Sequence, residues 1–279
     1  MKNIIYSIFI ENSQKNIDTK HSNTLNKLSI HKDRLTHSKL EYAKQCNAEF
    51  RLFENDNTWN EFKEKYCEYE FDTINLYKIY LFEKLSLEYD NVLYLDFDVV
   101  PNTNLNFFTT FDMNKIVVNS VNGYLKDTWS HKNKTYIDTI KTLDKYSEHL
   151  KALCKRSMLL TQNIVCKDYE IANTGILGGG NNAISKLKYT EKLDEMLNVL
   201  KQVKEEQFYG EDITKLFFAN NEVFFHYLLD KYNIEWFNMP DLWHVKCYKK
   251  VEIDESLKSY HMIHVINKKF DELWKILDV

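Results

Sequence analysis

Short apolar runs alternate along the chain with longer segments whose apolar residues return at helical spacing. Ile4-Ile5-Tyr6-Ser7-Ile8-Phe9-Ile10, stopped by Glu11, predicts a buried first strand. Asn12 to Asn26 is polar and predicts a loop. Lys27 to Cys46 carries Leu28, Leu35, Leu40 and Ala43 at helical intervals, and Glu49 to Phe53 predicts a second strand, so the chain opens as β-α-β. Leu76, Ile79, Tyr80, Phe82 and Leu85 predict a helix over Phe71 to Tyr89. It leads through Asp90-Asn91 into a strand from Val92 to Pro101.

Lys115 to Val121 predicts the next strand, and Tyr136 to Leu160 a charge-rich helix; residues 122–167 read as an insertion or lid. Glu170 to Gly178 predicts a strand running into Gly178-Gly179-Gly180-Asn181-Asn182, where glycines permit a tight turn or the close approach of a ligand. Helices over Ile184 to Lys204 and Glu222 to Tyr232, strands at Ile234 to Phe237 and Tyr260 to Val265, and a helix from Phe270 complete the pattern. Phe217, Phe218, Phe224, Phe225 and Tyr227 read as core. Strands alternating with helices predict a single α/β domain over residues 1–279, its mostly parallel central sheet flanked by helices.

The 44% apolar content is ample for one core in 279 residues. No stretch approaches the roughly 18 to 20 apolar residues of a membrane span, and the first strand lacks the cleavage site of a signal peptide. Cys46, Cys67, Cys154, Cys166 and Cys247 are odd in number and form no CxxC pair, which argues against a disulfide framework or structural zinc. A cytoplasmic location is expected, the host cytoplasm if the chain is viral. The net charge of −4 weighs against nucleic acid or anionic membrane as a partner. Lys126 to Lys155 is locally basic, either a patch or a solvated helical face.

Candidate chemistry gathers in Val92-Leu93-Tyr94-Leu95-Asp96-Phe97-Asp98-Val99-Val100-Pro101. Alternation along a strand sends Asp96 and Asp98 to one side, and paired anions beside an apolar run call for a proton or a cation between them. A hard divalent ion, Mn²⁺ or Mg²⁺, suits carboxylate oxygens and brings nucleotide phosphates with it. In open parallel sheets such ligands sit beyond the carboxyl ends of the strands.

With Leu76-Tyr77-Lys78-Ile79-Tyr80 before it, Ile171-Ala172-Asn173-Thr174-Gly175-Ile176-Leu177 after it and Ile263-His264-Val265-Ile266-Asn267-Lys268 near the end, the chain resembles glycosyltransferases of the Rossmann-like GT-A fold. The likeness is to the glycogenin and galactosyltransferase-like family 8, and the order of the pieces agrees. The resemblance implies a DxD motif in which Asp96 and Asp98 bind a Mn²⁺ (or Mg²⁺) ion, with His264 as the third protein ligand. The ion bridges the diphosphate of a nucleoside diphosphate sugar, a UDP-sugar being commonest. It further implies that Lys268 or Lys269 meets the diphosphate and that Lys78 and Phe9 line the nucleotide. Asn173 lies beside the transferred sugar or the acceptor, or else pins a turn.

Gly210-Glu211-Asp212 resembles the pair supplying a general base in inverting enzymes of this fold; Glu222 lies where retaining relatives carry an acidic or amide residue. The acceptor hydroxyl is on a glycan, protein, lipid or, less fittingly, nucleic acid. The chain departs from the family in Val265-Ile266-Asn267, where a Phe-x-Gly turn is usual, and in Lys269, where proline often follows.

Two alternatives stand beside this one. Asp96-Phe97-Asp98-Val99-Val100 also fits the nucleophile strand of haloacid-dehalogenase-like phosphatases, with Asp96 attacking phosphorus, although that motif normally opens its domain. A non-catalytic nucleotide-sugar-binding scaffold is the other.

Overall fold

The structure is a computed structural model that describes residues 1–11, 19–66, 71–123, 146–166, 168–206, 220–248 and 253–277. Among them, six strands form a central sheet in the order β2-β1-β3-β6-β5-β7. These are β1 Asn3–Ile8, β2 Ala48–Phe53, β3 Asn91–Leu95, β5 Ile116–Asn122, β6 Glu170–Gly180 and β7 Trp236–Asn238. Within this sheet β6 runs against both its neighbours, and the other pairings are parallel. A second sheet, β4-β9-β8, joins β4 Val99–Pro101, β9 Met262–His264 and β8 Val245–Lys246.

The helices are α1 Thr19–Ile30, α2 Lys32–Gln45, α3 Asn57–Tyr66, α4 Phe71–Ser86, α5 Phe107–Thr110, α6 Tyr146–Thr161, α7 Asn181–Ile184, α8 Tyr189–Glu206, α9 Asn221–Lys231 and α10 Phe270–Leu277. No helix among the described residues is long and apolar enough to cross a membrane.

Strand alternation divides the interior into two cores. Ile4, Tyr6, Val92, Tyr94, Ile116 and Val118 face α4, α6, α8 and α9, whereas Ile5, Leu93, Leu95 and Val117 face Tyr42, Phe107 and Trp243. A third core under the small sheet holds Phe9, Phe97, Val100, Ile263, Val265 and Trp274. Both faces of the central strands are therefore covered, which explains why β1 and β3 read as unbroken apolar runs.

Several sequence expectations are corrected. The span expected as one strand from Val92 to Pro101 is two strands in two sheets, separated by a turn at residues 96–98 that Val99 N–H closes on Asp96 O (2.9 Å). The later part of the expected loop is helix α1, and the helix expected from Lys27 to Cys46 breaks at His31. Helix α3 went unread although Trp59, Phe62 and Tyr66 fall on one buried face.

The glycines 178–180 neither turn nor face a ligand. They lie within β6, where a Cβ would strike the Phe107 ring at Gly178 and Met113 O at Gly180, at 2.3 and 2.6 Å. The described end of the expected lid, α6, buries Leu150, Leu153, Met158 and Leu159 in the main core. Its Lys155 is fully buried rather than solvated. Phe224, Phe225 and Tyr227 are core as expected, while Phe217, Phe218 and, within 122–167, residues 124–145 and 167 lie outside the described residues.

Candidate active site

The chain leaves the central sheet at Leu95, turns through Asp96-Phe97-Asp98 and enters the small sheet at Val99, so the acids stand where the two sheets meet. Asp96 N–H donates to Gly175 O (2.8 Å), extending the β3–β6 ladder one step. Val99 pairs with His264 across β4–β9, and Val265 N–H donates to Asp98 O (2.9 Å). This register carries the His264 side chain to the acids. A turn, rather than the strand alternation expected, brings Asp96 and Asp98 together.

His264 Nε2 lies 3.2 Å from Asp98 Oδ1 and 3.6 Å from Asp96 Oδ2. The other oxygen of each carboxylate is already held. Asp96 Oδ1 accepts from Tyr94 Oη (2.6 Å) and lies 3.4 Å from Lys78 Nζ, while Asp98 Oδ2 is paired with Lys268 Nζ. Burial pushes the Asp98 carboxyl up, but the contacts of His264 and Lys268 with it outweigh burial and hold the group well below the usual carboxylate range. Beneath the turn, the fully buried Lys39 on α2 donates to Phe97 O (2.8 Å) and Leu35 O (3.3 Å); burial lowers its amine to about 7.

This donor set fits a small divalent ion. Asp96, Asp98 and His264 each offer a ligand atom, all within 4.8 Å of one another. Cis ligands about 2.1 Å from such an ion lie about 3 Å apart, close to the separations present. Two carboxylates with an imidazole suit Mn²⁺ better than Ca²⁺, and the fixed outer oxygens are the outer-shell support that metal sites need. Among the described residues the third potential ligand beside the acids is a histidine, not the further carboxylate that the phosphatase alternative calls for.

Gly175 makes the convergence possible. A Cβ there would lie 2.7 Å from His264 Cε1, 2.8 Å from Nδ1 and 3.1 Å from Asp96 Oδ2. Gly175→Ala is expected to displace the imidazole and to cost about 1–3 kcal/mol as overpacking, read by urea unfolding. An unmoved His264 resonance in the ¹H–¹⁵N spectrum would count against this.

The remaining expected residues are distributed unevenly. Lys268, not Lys269, reaches the acids: its backbone is left-handed (φ 59°), which turns its amine inward, while Lys269 pairs with exposed Glu272 (3.1 Å). Phe9 is 2% exposed, and its ring packs on Phe97 at 4.8 Å, so the ring is committed to the core rather than offered to a nucleotide. Asn173 Oδ1 accepts from Gly175 N–H (3.2 Å), pinning the strand. Glu222 sits in the first turn of α9, capped by Asn220. One of its oxygens pairs with Lys151 and the other accepts from Thr174 N–H (3.4 Å). Burial raises the Glu222 carboxyl, but Lys151, Lys78 and Lys246 outweigh it and keep the group below its ordinary value. Glu211 and Asp212 lie outside the described residues.

Sequence reading missed Tyr94, His244, Lys246 and Asn119. Lys246 is the register partner of His264, and its amine donates to Asn119 Oδ1 (2.6 Å), tying the small sheet to β5. The available signal was the alternation of His244 and Lys246, which read as an unremarked stretch between Trp243 and Cys247. Two surface depressions of about 510 and 600 Å³ lie elsewhere, one lined by Lys2, Lys44 and Tyr89 and the other by Arg34, Asp271 and Trp274.

No protein-family model matches the chain, and no curated protein matches it. Two solved structures are similar to it at low identity. One is a glycosyltransferase involved in the glycosylation of the major capsid of PBCV-1, with 11% identity and a TM-score of 0.45 over 100% of this chain and 99% of that one. The other is mouse xyloside xylosyltransferase 1, with 10% identity and a TM-score of 0.48 over 95% of this chain and 98% of that one.

Proposed function

We propose that the protein is a GT-A glycosyltransferase that moves a sugar from a nucleoside diphosphate sugar, a UDP-sugar in the first instance, to an acceptor hydroxyl. A Mn²⁺ or Mg²⁺ ion is held by Asp96, Asp98 and His264. One observation carries the reading. Two acids from the exit of a central strand meet a histidine from a distant strand and a lysine from the turn after it, Asp98 and Lys268 being 170 positions apart, with one oxygen of each acid left facing the imidazole. The motif order that resembles family 8 supports the same reading independently.

When bound, the ion supplies Lewis-acid stabilisation of charge on a departing diphosphate. The chain's own residues do the rest. Lys268 and Lys78 place two amines beside the acids, where phosphate oxygens would stand, and give charge-assisted hydrogen bonds in a partly dry setting. Asn173 and Gly175 define the strand edge next to the reacting sugar. Glu222, with both oxygens occupied and its charge held by Lys151, supports that edge and is poorly placed to take the acceptor's proton. The acceptor is a hydroxyl on a glycan, protein or lipid, the net charge of −4 weighing against nucleic acid.

A panel of nucleotide sugars incubated with Mn²⁺ tests the proposal. At least one UDP-sugar is expected to be hydrolysed or transferred, EDTA is expected to stop it, and NMR of the released sugar's anomer then separates retention from inversion. Absence of calorimetric binding of UDP in the presence of Mn²⁺ would sink it.

A further inference from the structure

His264 stands between two neighbours, Gly175 on one side and His244 on the other. His244 follows a short 3-10 turn at Asp241–Trp243, is 2% exposed, and places Nε2 3.1 Å from His264 Nδ1. The rings lie nearly parallel, 12° apart with centroids at 5.3 Å. The far nitrogen of His244, Nδ1, is buried and has no hydrogen-bond partner among the described residues.

That arrangement restricts where the ring protons sit. Two neutral imidazoles touching through one nitrogen each must have a proton on one of the two facing nitrogens and a lone pair on the other. With both rings neutral and His264 Nε2–H donating to Asp98, His264 Nδ1 accepts from His244 Nε2–H, and His244 Nδ1 is a bare lone pair. An ion between the acids requires the lone pair of His264 Nε2. His264 then carries its proton on Nδ1 and donates it to His244 Nε2, and His244 carries its own on Nδ1. Both arrangements hold the same two ring protons and the same charge. Because His244 Nδ1 has no partner among the described residues, His244 passes from one to the other without giving up a hydrogen bond to them. A backbone carbonyl at that place would favour one tautomer of His264; this second imidazole serves both.

We propose that His244 is the positioning residue of the ion site: it holds the His264 ring against the acids and changes tautomer with it, and so sets the affinity for the divalent ion. The inference rests on the ion-binding half of the proposed function, and its test uses metal alone, without sugar nucleotide or turnover.

Mn²⁺ titrations followed by electron paramagnetic resonance compare wild type with His244→Phe and His244→Gln. The ring of the Phe variant takes the place of the imidazole but offers no polar atom, and its Mn²⁺ dissociation constant is expected to rise about 10- to 100-fold. The Gln variant, whose amide accepts through oxygen or donates through nitrogen, is expected to stay within about threefold of wild type. Melting temperatures without metal check folding, and a purely structural role would not give rescue by Gln in the metal titration. Equal affinity in wild type and the Phe variant, or equal loss in both variants, overturns the inference and leaves the glycosyltransferase reading standing. A wild-type protein that binds no Mn²⁺ overturns both.

A second measurement needs no variant. In long-range ¹H–¹⁵N spectra of wild type, saturation with diamagnetic Zn²⁺ is expected to move the proton of both His264 and His244 from Nε2 to Nδ1. A His244 that keeps its tautomer while His264 changes overturns the proposal.

Discussion

Asp98→Asn is expected to lower turnover of the nucleotide-sugar substrate by about 10³-fold or more, in line with losing one charged contact to an ion and to developing phosphate charge. The reason lies in how Asp98 is used. One oxygen is paired with Lys268 and the other faces His264 Nε2 at 3.2 Å, so no other side chain can replace it from the same place. An amide at this position still accepts a hydrogen bond but carries no charge, and it presents an N–H to either the ion or Lys268.

The fold should persist in that variant, since the site lies at the rim where the sheets meet and none of the three cores loses a member. A stability cost of the variant should nevertheless be visible and should depend on pH. The Asp98 carboxyl is held below its unfolded value, so its contribution is present above that value and is lost as pH falls through the folded one. The difference in melting temperature between wild type and Asp98→Asn is therefore expected to narrow in acid. Wild-type turnover in the variant, with native circular dichroism, would refute the role given to this residue.

Lys155→Met is expected to cost about 3 kcal/mol of folding stability, read from urea unfolding, with little effect on the ion site. The Lys155 side chain is wholly buried, and its amine meets Asp230 Oδ2 at 2.7 Å, Asp168 Oδ1 at 3.0 Å and Glu170 O at 2.8 Å. It thereby fastens α6 to the start of β6 and to the end of α9. Methionine fills similar space but leaves Asp230 without its cation. The cost belongs at the low end of the range for broken buried pairs because Asp168 is half exposed and Asp230 can take up a proton.

The pH dependence has a definite sign. Burial lowers the Lys155 amine, but Asp230 and Asp168 outweigh it and raise it overall, so its stabilisation is complete below the unfolded lysine value and fades as pH rises through the folded one. Burial also raises the Asp230 carboxyl more than Lys155 lowers it, so Asp230 takes up its proton at a higher pH in the fold than in the unfolded chain. The deficit of the variant should be largest between neutrality and about pH 10, the ordinary lysine range, and shrink in acid as Asp230 protonates. A deficit that stays constant across that range would show that packing, not charge, is what Lys155 contributes.

The cluster of Cys166, Asp168 and Asp230 around Lys155 has metal-ligating side chains in reach of one another, yet the ammonium stands among them and satisfies the two carboxylates. It is better understood as a buried ionic staple than as a second metal centre.

How far the molecule was legible in the sequence follows from the kind of information each residue carries. The pair Asp96/Asp98 was visible because two anions next to an apolar run are rare and costly. The geometric reason given for their convergence was nevertheless mistaken, because a turn hidden inside the run separates two sheets. His264 and Lys268 could be found only through motif order, since their approach to Asp98 depends on the β4–β9 register, and no local pattern states that register. That Lys268 rather than Lys269 stands beside Asp98 goes with a left-handed backbone at Lys268, which a non-glycine residue does not advertise.

Glycine misled in the opposite way. Three in a row drew attention to residues 178–180, where they make room for Phe107, Ile184 and a backbone carbonyl, while the solitary Gly175 is the one against the imidazole. The strands β1 and β3 were readable as unbroken apolar runs, and the helices α4 and α9 as longer apolar-rich segments. Helix α1 was readable only from Lys27 onward, because Thr19 to Thr24 is polar and offers no apolar spacing.

The small sheet has a temporal consequence. Asp98 is made early in the polypeptide, but the histidine and lysine that meet it come from beyond position 263, so a nascent protein emerging from the ribosome can assemble the first half of its large sheet long before it can close the rim. Under the proposed function, ion capture would wait until residues 264–268 have been made, and a product ending before them would carry the acids without the histidine and lysine that meet them.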